Sequence, residues 1–434
     1  MRVDKVARRS RKIGFATSQF GPGFCQGAEA YIENLAAGLA DQGWYSEVFS
    51  ALSAECDLAA SNERGSIPFK SLGTSGWCTV TGNNIEFFCQ QLEKSQIDLL
   101  HLVHPGHLGI NIARAARSCN IPVVITLVDY WWLCPKNTLI RSDGSICEGQ
   151  KTKIVCQKCV MQSHRFEWVR NTALKSTAGW KALICASDMI QKIKGKASTH
   201  EWEQRSTFLS ETLAKADAVI ALSKTAIKRI HPLAPYQNFS LIPVGLAPRW
   251  FEQIPDCDAI GHEKTVVGFA GSIAHHKGLH TLIAAAKKVP GIRLNIAGPV
   301  LDEEYWQSLQ AHLEGLDFLY YGVLSREDMP RFIDGTDVMV VPSLSPENQP
   351  QTVLEAQARR KPVIVSSVPG AAELQPNSNL IFEADSVSSL SEILTKVFND
   401  TLDCSQPLPS TIEQMTTRTV ELYSQIFNKR DHQC

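Results

Sequence analysis

Hydrophobic residues in the second half of the chain fall into short runs, separated by stretches in which apolar residues recur at helical spacing. Parallel strands need a crossover connection that is usually a helix, so this alternation is typical of βαβ units. It predicts an α/β fold with a parallel sheet. The predicted strands cover 265–270, 292–297, 317–320, 337–341 and 362–366.

The first half alternates in the same way, although less regularly. Its apolar runs predict strands at 12–17, 98–103, 122–127, 218–222 and 240–243. Helical patterns cover 28–42, where Gly43 is a typical helix end, then 165–216 and finally 411–427 at the end of the chain.

A chain of 434 residues is too long for one hydrophobic core, so two domains are expected. The Pro-, Asp- and Gly-containing segment 243–263 is the predicted linker. The net charge of −1 gives no general attraction to nucleic acid. Basic residues in Met1–Lys12 precede no apolar region, and no apolar run approaches the roughly 20 residues of a transmembrane helix. We therefore expect a cytoplasmic protein, with peripheral contact at the inner face of the membrane left open.

Two glutamates eight residues apart, Glu347 and Glu355, stand between the predicted strands 337–341 and 362–366. Glu347 falls in the loop that follows a strand. Glu355 lies about two turns away in a helix predicted from Gln351, so both carboxylates can face one crevice. Ligands of open parallel sheets bind where strands run into helix N-termini. The simpler alternative for such a pair is a solvated helix face.

The Glu-x7-Glu segment, in its Pro-Glu-Asn-x-Pro context, resembles the donor-sugar site of retaining family-4 glycosyltransferases of the GT-B fold. Other motifs follow the same family order over most of the chain. The resemblance implies two Rossmann-like domains facing a central cleft. It assigns 1–243 to the acceptor side, 244–408 to the nucleotide sugar, and 409–434 to a helix packing back on the first domain. It also implies a hexosyltransferase that retains anomeric configuration and needs no cofactor for catalysis.

The same resemblance assigns roles to donor-side residues. Glu347 would contact the transferred sugar near the developing positive charge, Glu355 would accept hydrogen bonds from ribose hydroxyls, and Lys277 would bind the diphosphate. Ser272 stands where the family often has arginine. The segment Pro369–Glu373 resembles a Gly-Gly-x-x-Glu loop and predicts a tight turn with no assigned role. The remaining predicted donor residues are Gly271, Ser272, Gly298, Asn348, Gln349, Thr352 and Val353.

On the acceptor side, Gly23 and Gly27 belong to a glycine-rich loop that allows close backbone approach to a substrate. Asp129 and His104 follow predicted strands. The family usually has His-Asp where this chain has Val128-Asp129, so His104, or water, is the candidate replacement for the missing imidazole. Since Val128 and Ser272 both depart from the family pattern, a non-catalytic GT-B protein that binds a glycan or a partner enzyme is the alternative.

Four of the 13 cysteines are close in sequence, at Cys134, Cys147, Cys156 and Cys159. Four thiolates can hold a tetrahedral Zn²⁺, and the last two cysteines form the Cys-x2-Cys half-site that many zinc sites use. A similar insertion occurs in a subset of the resembling transferases. The segment predicts a structural zinc site, with free thiols or disulfides as alternatives. The expected partners are a UDP- or GDP-linked sugar and a glycan or lipid-linked acceptor, without nucleic acid.

Overall fold

The computed structural model describes most of the chain and contains two parallel β-sheets, one in each half. Buried strands of this kind are covered on both faces, so they read as continuous apolar runs. The described residues are 10–21, 27–52, 60–62, 65–73, 80–81, 84–141, 143–149, 153–162, 179, 182, 199–252, 264–399 and 405–432.

The first domain is built on a seven-stranded sheet with the order β5-β2-β1-β6-β7-β8-β9. All neighbouring strands in it run parallel. Strands β3 and β4 form a separate antiparallel pair. The strands are β1 Lys12–Gln19, β2 Tyr45–Leu52, β3 Ala60–Asn62, β4 Gly65–Ile67, β5 Phe69–Ser71, β6 Leu99–Leu102, β7 Val123–Leu127, β8 Ala218–Ala221 and β9 Phe239–Leu241.

Helices connect these strands and cover the sheet. They are Gly27–Asp41, Ile85–Ser95, Asn111–Ser118, Lys153–Gln162, Thr199–Ala214 and Lys224–Ile230.

The second domain contains a six-stranded parallel sheet with the order β12-β11-β10-β13-β14-β15. Its strands are β10 Thr265–Ala270, β11 Ile292–Ala297, β12 Asp317–Tyr320, β13 Val338–Val341, β14 Val363–Ser366 and β15 Ile381–Phe382. Its helices are Leu279–Ala286, Glu303–Leu313, Met329–Asp334, Gln351–Ala358, Ala371–Leu374 and Val387–Phe398, with short 3₁₀ turns at Pro248–Trp250, His275–Lys277 and Ser378–Leu380.

The last helix, Ile412–Asp431, packs back on the first domain, as expected from the resemblance. Thr411 and Gln414 form a capping box at its start. It approaches helix Gly27–Asp41 closely, because a Cβ on Gly38 would lie 2.0 Å from Thr416 Oγ1. In the core beneath it, the Tyr423 hydroxyl lies 2.6 Å from His101 Nδ1.

Every strand predicted from the sequence is present, with ends shifted by at most two residues. Strands β2, β3, β4, β5 and β15 were not predicted. The predicted helical stretch 165–216 falls largely outside the described residues, and its last part forms helix Thr199–Ala214. Residues 253–263 of the predicted linker also lie outside them. Among the described helices, none combines the length and the hydropathy that crossing a bilayer requires.

Candidate active site

The loop that follows β13 carries Glu347 and lies where the two domains meet. The Glu347 carboxylate accepts hydrogen bonds from Lys277 Nζ at 2.7 Å and from Ser343 Oγ at 2.5 Å, both at Oε1. Its backbone N–H donates to the Pro369 carbonyl at 3.0 Å. From the first domain, the Tyr130 hydroxyl donates to the Glu347 carbonyl at 3.2 Å. Both the side chain and the backbone of Glu347 are therefore held in place.

The Lys277–Glu347 ion pair also sets the charge of the site. Burial alone would raise the pKa of Glu347, but Lys277, Ser343 and His276 outweigh it and hold the pKa below its usual value. Burial, reinforced by Lys277, lowers the pKa of His276 to about 4. At neutral pH the site thus holds one lysine cation beside one carboxylate, with a neutral imidazole next to them.

A glycine brings Lys277 to this position. Strand β10 is followed by the 3₁₀ turn His275–Lys277, which ends at Gly278 with φ of 70°. A Cβ at Gly278 would lie 1.9 Å from the Pro342 carbonyl oxygen, so no other residue fits this approach. The close contact sets the lysine loop directly against the end of β13.

Glu355 has a different environment, in helix Gln351–Ala358. Its carboxylate is partly buried and forms no hydrogen bond or ion pair with the part of the chain that the structure describes. Burial raises the pKa of Glu355 to about 7, and the Arg326 and Arg249 charges only partly oppose this effect. A carboxylate with both oxygens uncommitted is suited to accept hydrogen bonds from ligand hydroxyls.

The side chain of Asn348 points to the first domain, and that of Gln349 to Val244, in the segment between the two sheets. Ser223 Oγ donates to Asn348 Oδ1 at 2.7 Å, and Asn348 Nδ2 donates to the Leu127 carbonyl. Gln349 Oε1 accepts from the Val244 N–H at 2.7 Å. Asn348 therefore joins the domains. Both side chains are committed to contacts within the protein, so a donor can use only the backbone groups of these two residues.

The other predicted donor residues lie around the same strand ends. Thr352 Oγ1 donates to the Ala270 carbonyl at 3.0 Å, and Val353 is fully buried. The backbones of Gly271 and Gly298 touch, since a Cβ at Gly298 would lie 2.0 Å from the Gly271 carbonyl oxygen. Ser272 is partly exposed beside Gly271.

On the first domain, His104 and Asp129 form a pair at the ends of β6 and β7. His104 Nε2 lies 2.7 Å from Asp129 Oδ2, and Asp129 also accepts from the Trp131 N–H at 2.9 Å and Asn137 Nδ2 at 2.8 Å. Burial lowers the pKa of His104, but Asp129 and then Glu29 outweigh it and raise the pKa above its usual value. Burial raises the pKa of Asp129, but the charge of His104 and the hydrogen bonds from His104, Trp131 and Asn137 outweigh it and bring this pKa below its usual value.

Sequence reasoning assigned no role to three residues of this region, Glu29, Tyr130 and Ser343. Glu29 is buried in the first turn of helix Gly27–Asp41, directly after the glycine-rich loop, and its charge acts on His104. An acidic residue in the first turn of a helix usually stabilises that helix through its dipole. The sequence around Glu29 therefore gave no sign of a role in the site.

Of the two predicted glycines of the glycine-rich loop, Gly27 contacts the second domain. The Gly27 carbonyl accepts a hydrogen bond from Gln351 Nε2 at 3.4 Å. Gly23 lies outside the described residues.

The four cysteines do not form the predicted zinc site in this structure. All four line one cavity of about 630 Å³. However, nowhere in the described ranges do three or more His, Cys, Asp or Glu side chains form a group that could hold a metal ion. Two of the sulfurs have other partners: Cys147 Sγ donates to the Gly149 carbonyl at 3.2 Å, and Lys136 Nζ donates to Cys159 Sγ at 3.7 Å. None of the four cysteines is in a disulfide, and the structural zinc prediction has no support.

Comparison with known proteins agrees with this architecture. A family model described as "Glycosyl transferases group 1" matches residues 251–413, and one described as "Glycosyltransferase Family 4" matches residues 26–143. No curated protein sequence matches the chain significantly.

Several solved structures are similar over nearly the whole chain. HepE of Anabaena, solved in complex with UDP and glucose, is 16% identical with a TM-score of 0.63, and the match covers 97% of this chain and 100% of that one. Sucrose-phosphate synthase from Thermosynechococcus elongatus is 15% identical with a TM-score of 0.61, covering 96% and 95%. WaaG, a glycosyltransferase involved in lipopolysaccharide biosynthesis, is 14% identical with a TM-score of 0.55, covering 96% and 98%. The fold is therefore GT-B, with two Rossmann-like α/β domains.

Proposed function

We propose that this chain is a glycosyltransferase that transfers a hexose from a nucleotide diphosphate sugar to a glycan or lipid-linked acceptor, with retention of anomeric configuration. One observation carries the proposal: Lys277 and Glu347 form an ion pair at adjoining strand ends of the second sheet, opposite the first domain. A diphosphate needs a cation, and a sugar that develops positive charge needs a nearby carboxylate. This pair supplies both charges next to each other.

The donor would lie along the carboxyl ends of β10, β11 and β13. Lys277 and the adjoining backbone amides would bind the diphosphate, while Glu355 would accept the ribose hydroxyls. The loops that contain Gly271 and Gly298 would border the nucleotide. Ser272 lies in the first of these loops, before the turn His275–Lys277. The similarity to HepE, whose structures hold UDP and UDP-glucose, supports a UDP-linked hexose as the first donor to test.

In the transfer step, the bond between the anomeric carbon and the leaving diphosphate oxygen breaks. The acceptor oxygen bonds to the same carbon on the same face, and the acceptor proton passes to the departing diphosphate. Lys277 would neutralise the charge that grows on the diphosphate, and Glu347 would stabilise the cationic sugar. Retention is part of the proposal and rests on the resemblance of the Glu-x7-Glu segment.

The His104–Asp129 pair would receive the acceptor from the first-domain side of the cleft. Val128 occupies the position where the resembling family has histidine, and His104 places a buried imidazole near the same strand end. An imidazole hydrogen-bonded to a carboxylate can accept a hydrogen bond from, or donate one to, an acceptor hydroxyl. The pair would position the acceptor while the diphosphate takes its proton.

A panel of UDP-, GDP- and ADP-sugars in a thermal-shift assay tests the donor. A ligand that binds only the folded protein raises its stability in proportion to RT ln(1 + [L]/Kd), so the true donor should raise Tm most. Product analysis with that donor then tests transfer. Val128 and Ser272 favour the alternative of a non-catalytic GT-B protein that binds a glycan or partner enzyme. That alternative predicts no release of free nucleotide diphosphate under any of these conditions.

A further inference from the structure

The turn Pro369–Glu373 has no role in the transfer scheme above, yet it touches both domains. We propose that Glu373 is a positioning residue that couples contact with the first domain to the placement of Glu347. The inference rests on the proposed function, because it concerns when Glu347 reaches its working position.

The contact with the first domain is made by both carboxylate oxygens of Glu373. Oε1 accepts from the Lys224 N–H and Oε2 from the Thr225 N–H, each at 2.8 Å. These amides belong to the first turn of helix Lys224–Ile230, where backbone donors have no partner within the helix. A carboxylate at that place satisfies two such donors and also interacts favourably with the helix dipole.

The same turn fixes the backbone of Glu347. The Pro369 carbonyl accepts the Glu347 N–H at 3.0 Å. Gly370 has φ of 95°, and a Cβ there would lie 1.6 Å from the Glu347 carbonyl oxygen. Because the two backbone segments are in direct contact, a shift of the turn must move Glu347 as well.

The contacts close into a ring. Ser223, which caps helix Lys224–Ile230, donates to Asn348 Oδ1 at 2.7 Å, and Asn348 follows Glu347 directly. The path therefore runs from Ser223 through Asn348 and Glu347 to the Pro369–Glu373 turn, then back to the amides beside Ser223. Glu373 is exposed, so its bonds to the amides can break and re-form at little cost if the domains move relative to each other.

Two variants break the contact between Glu373 and the Lys224 amide, one by changing the acceptor and the other by removing the donor. Each has a matched control. Glu373→Gln removes the charge and one of the two acceptor oxygens, and Glu383→Gln removes an exposed carboxylate elsewhere in the same domain. Lys224→Pro removes an amide donor at the first helical position, which tolerates proline, and the extended backbone of Ser223 suits a following proline. Lys224→Ala removes the same side chain and keeps the amide.

The measurements are turnover with the sugar nucleotide and affinity for UDP alone. We expect Glu373→Gln and Lys224→Pro each to lower kcat about tenfold, the scale of one hydrogen bond to a charged group, with UDP affinity within about twofold of wild type. The double variant should have a kcat no lower than that of either single variant, because both substitutions break the same ring of contacts. The two control variants should keep wild-type turnover.

Three results would overturn the inference: equal losses in kcat and UDP affinity, losses that multiply in the double variant, or wild-type turnover in Lys224→Pro. If the wild-type protein transfers no sugar, the proposed function fails, and hydrogen exchange still tests the ring. Faster exchange at the Glu347 amide in both Glu373→Gln and Lys224→Pro, relative to their controls, supports the coupling. Unchanged exchange there refutes it.

Discussion

Lys277 Nζ and Glu347 Oε1 lie 2.7 Å apart, so the cation proposed to bind the diphosphate has an anionic partner within the protein itself. A bound diphosphate would bring further negative charge to the same cation. Glu347 would then face the sugar while keeping its hydrogen bond from Ser343, and its ion pair with Lys277 would be weaker. The ion pair thus keeps both charges in place, and a bound donor would compete with Glu347 for the lysine.

Replacing Lys277 tests this division of roles. Lys277→Ala should reduce kcat/KM for the intact sugar nucleotide about 100-fold, as expected for a group that stabilises developing charge. Binding of the free nucleoside, which carries no phosphate, should change by less than about twofold. Titration calorimetry with both ligands checks this, and Lys288→Ala, at an exposed lysine of the same domain, is the control. Equal losses for both ligands would assign Lys277 a different role.

The ribose contact of Glu355 can be tested through affinity. Glu355→Ala should weaken nucleotide binding by about 1.5–3 kcal/mol, the range for a hydrogen bond to a charged group. Affinity for UDP and GDP is measured by calorimetry, with circular dichroism to confirm that the variant is folded. Unchanged affinity in a folded variant would remove Glu355 from the donor site.

Glu355 also predicts a pH dependence of stability. Burial raises its pKa to about 7 from an ordinary value near 4.5, so the folded state favours the protonated carboxyl. Its favourable contribution is complete below pH 4.5 and is lost as the pH rises through 7. Glu355→Gln should therefore raise Tm at pH 8 relative to wild type and have little effect at pH 4. Thermal unfolding at both pH values measures this, and a Tm difference that does not depend on pH would contradict it.

The same titration should appear in donor binding. An ionised carboxylate accepts two hydrogen bonds, whereas a protonated one has become a donor at one oxygen. Wild-type nucleotide affinity should therefore increase between about pH 6 and 8, following the pKa of Glu355. In Glu355→Gln this increase should disappear. An unchanged pH profile in the variant would place the titrating group elsewhere.

The His104–Asp129 pair makes a prediction that needs no substrate. In the wild type the pKa of His104 should lie above its ordinary value, and in Asp129→Asn it should fall, because burial is then opposed less. Histidine NMR titration of both proteins measures the shift. The stabilisation from His104 is lost as the pH rises through the folded-state pKa of His104. The stabilisation from Asp129 is lost as the pH falls through the folded-state pKa of Asp129. The pair should contribute most at about pH 4 to 6.5, between the two ordinary values.

The sequence predicted most strands of the two sheets because buried parallel strands need continuous apolar runs, and such a run is visible in the local sequence. Strand β2 was missed because it contains Glu47, which is buried. Lys12 on β1 and Lys70 on β5 compensate its charge at 2.7 and 2.8 Å. These partners come from neighbouring strands that are distant in sequence, so the segment by itself gives no sign that the charge is tolerated.

At the candidate site, the sequence predicted a set of residues but not the direction in which their side chains point. Asn348 and Gln349 are beside Glu347 in the chain, and only the packing of the domains shows that their side chains bind Ser223 and Val244. The zinc prediction lacks support for a related reason. The four cysteines are close in sequence and line one cavity, but their spacing does not determine whether the four sulfurs point to a common centre.

Docking of the last helix on the first domain sets a condition on biosynthesis. Helix Ile412–Asp431 supplies Tyr423, a fully buried ring, and its hydroxyl bonds to His101 on a central strand of the first sheet. This helix follows all seven strands in the chain, so it leaves the ribosome well after them. We therefore expect the nascent first domain to keep an uncovered apolar face, and His101 Nδ1 to lack its Tyr423 partner, until this helix has emerged. Chaperones that hold exposed hydrophobic surface have their longest opportunity to bind this protein in that interval.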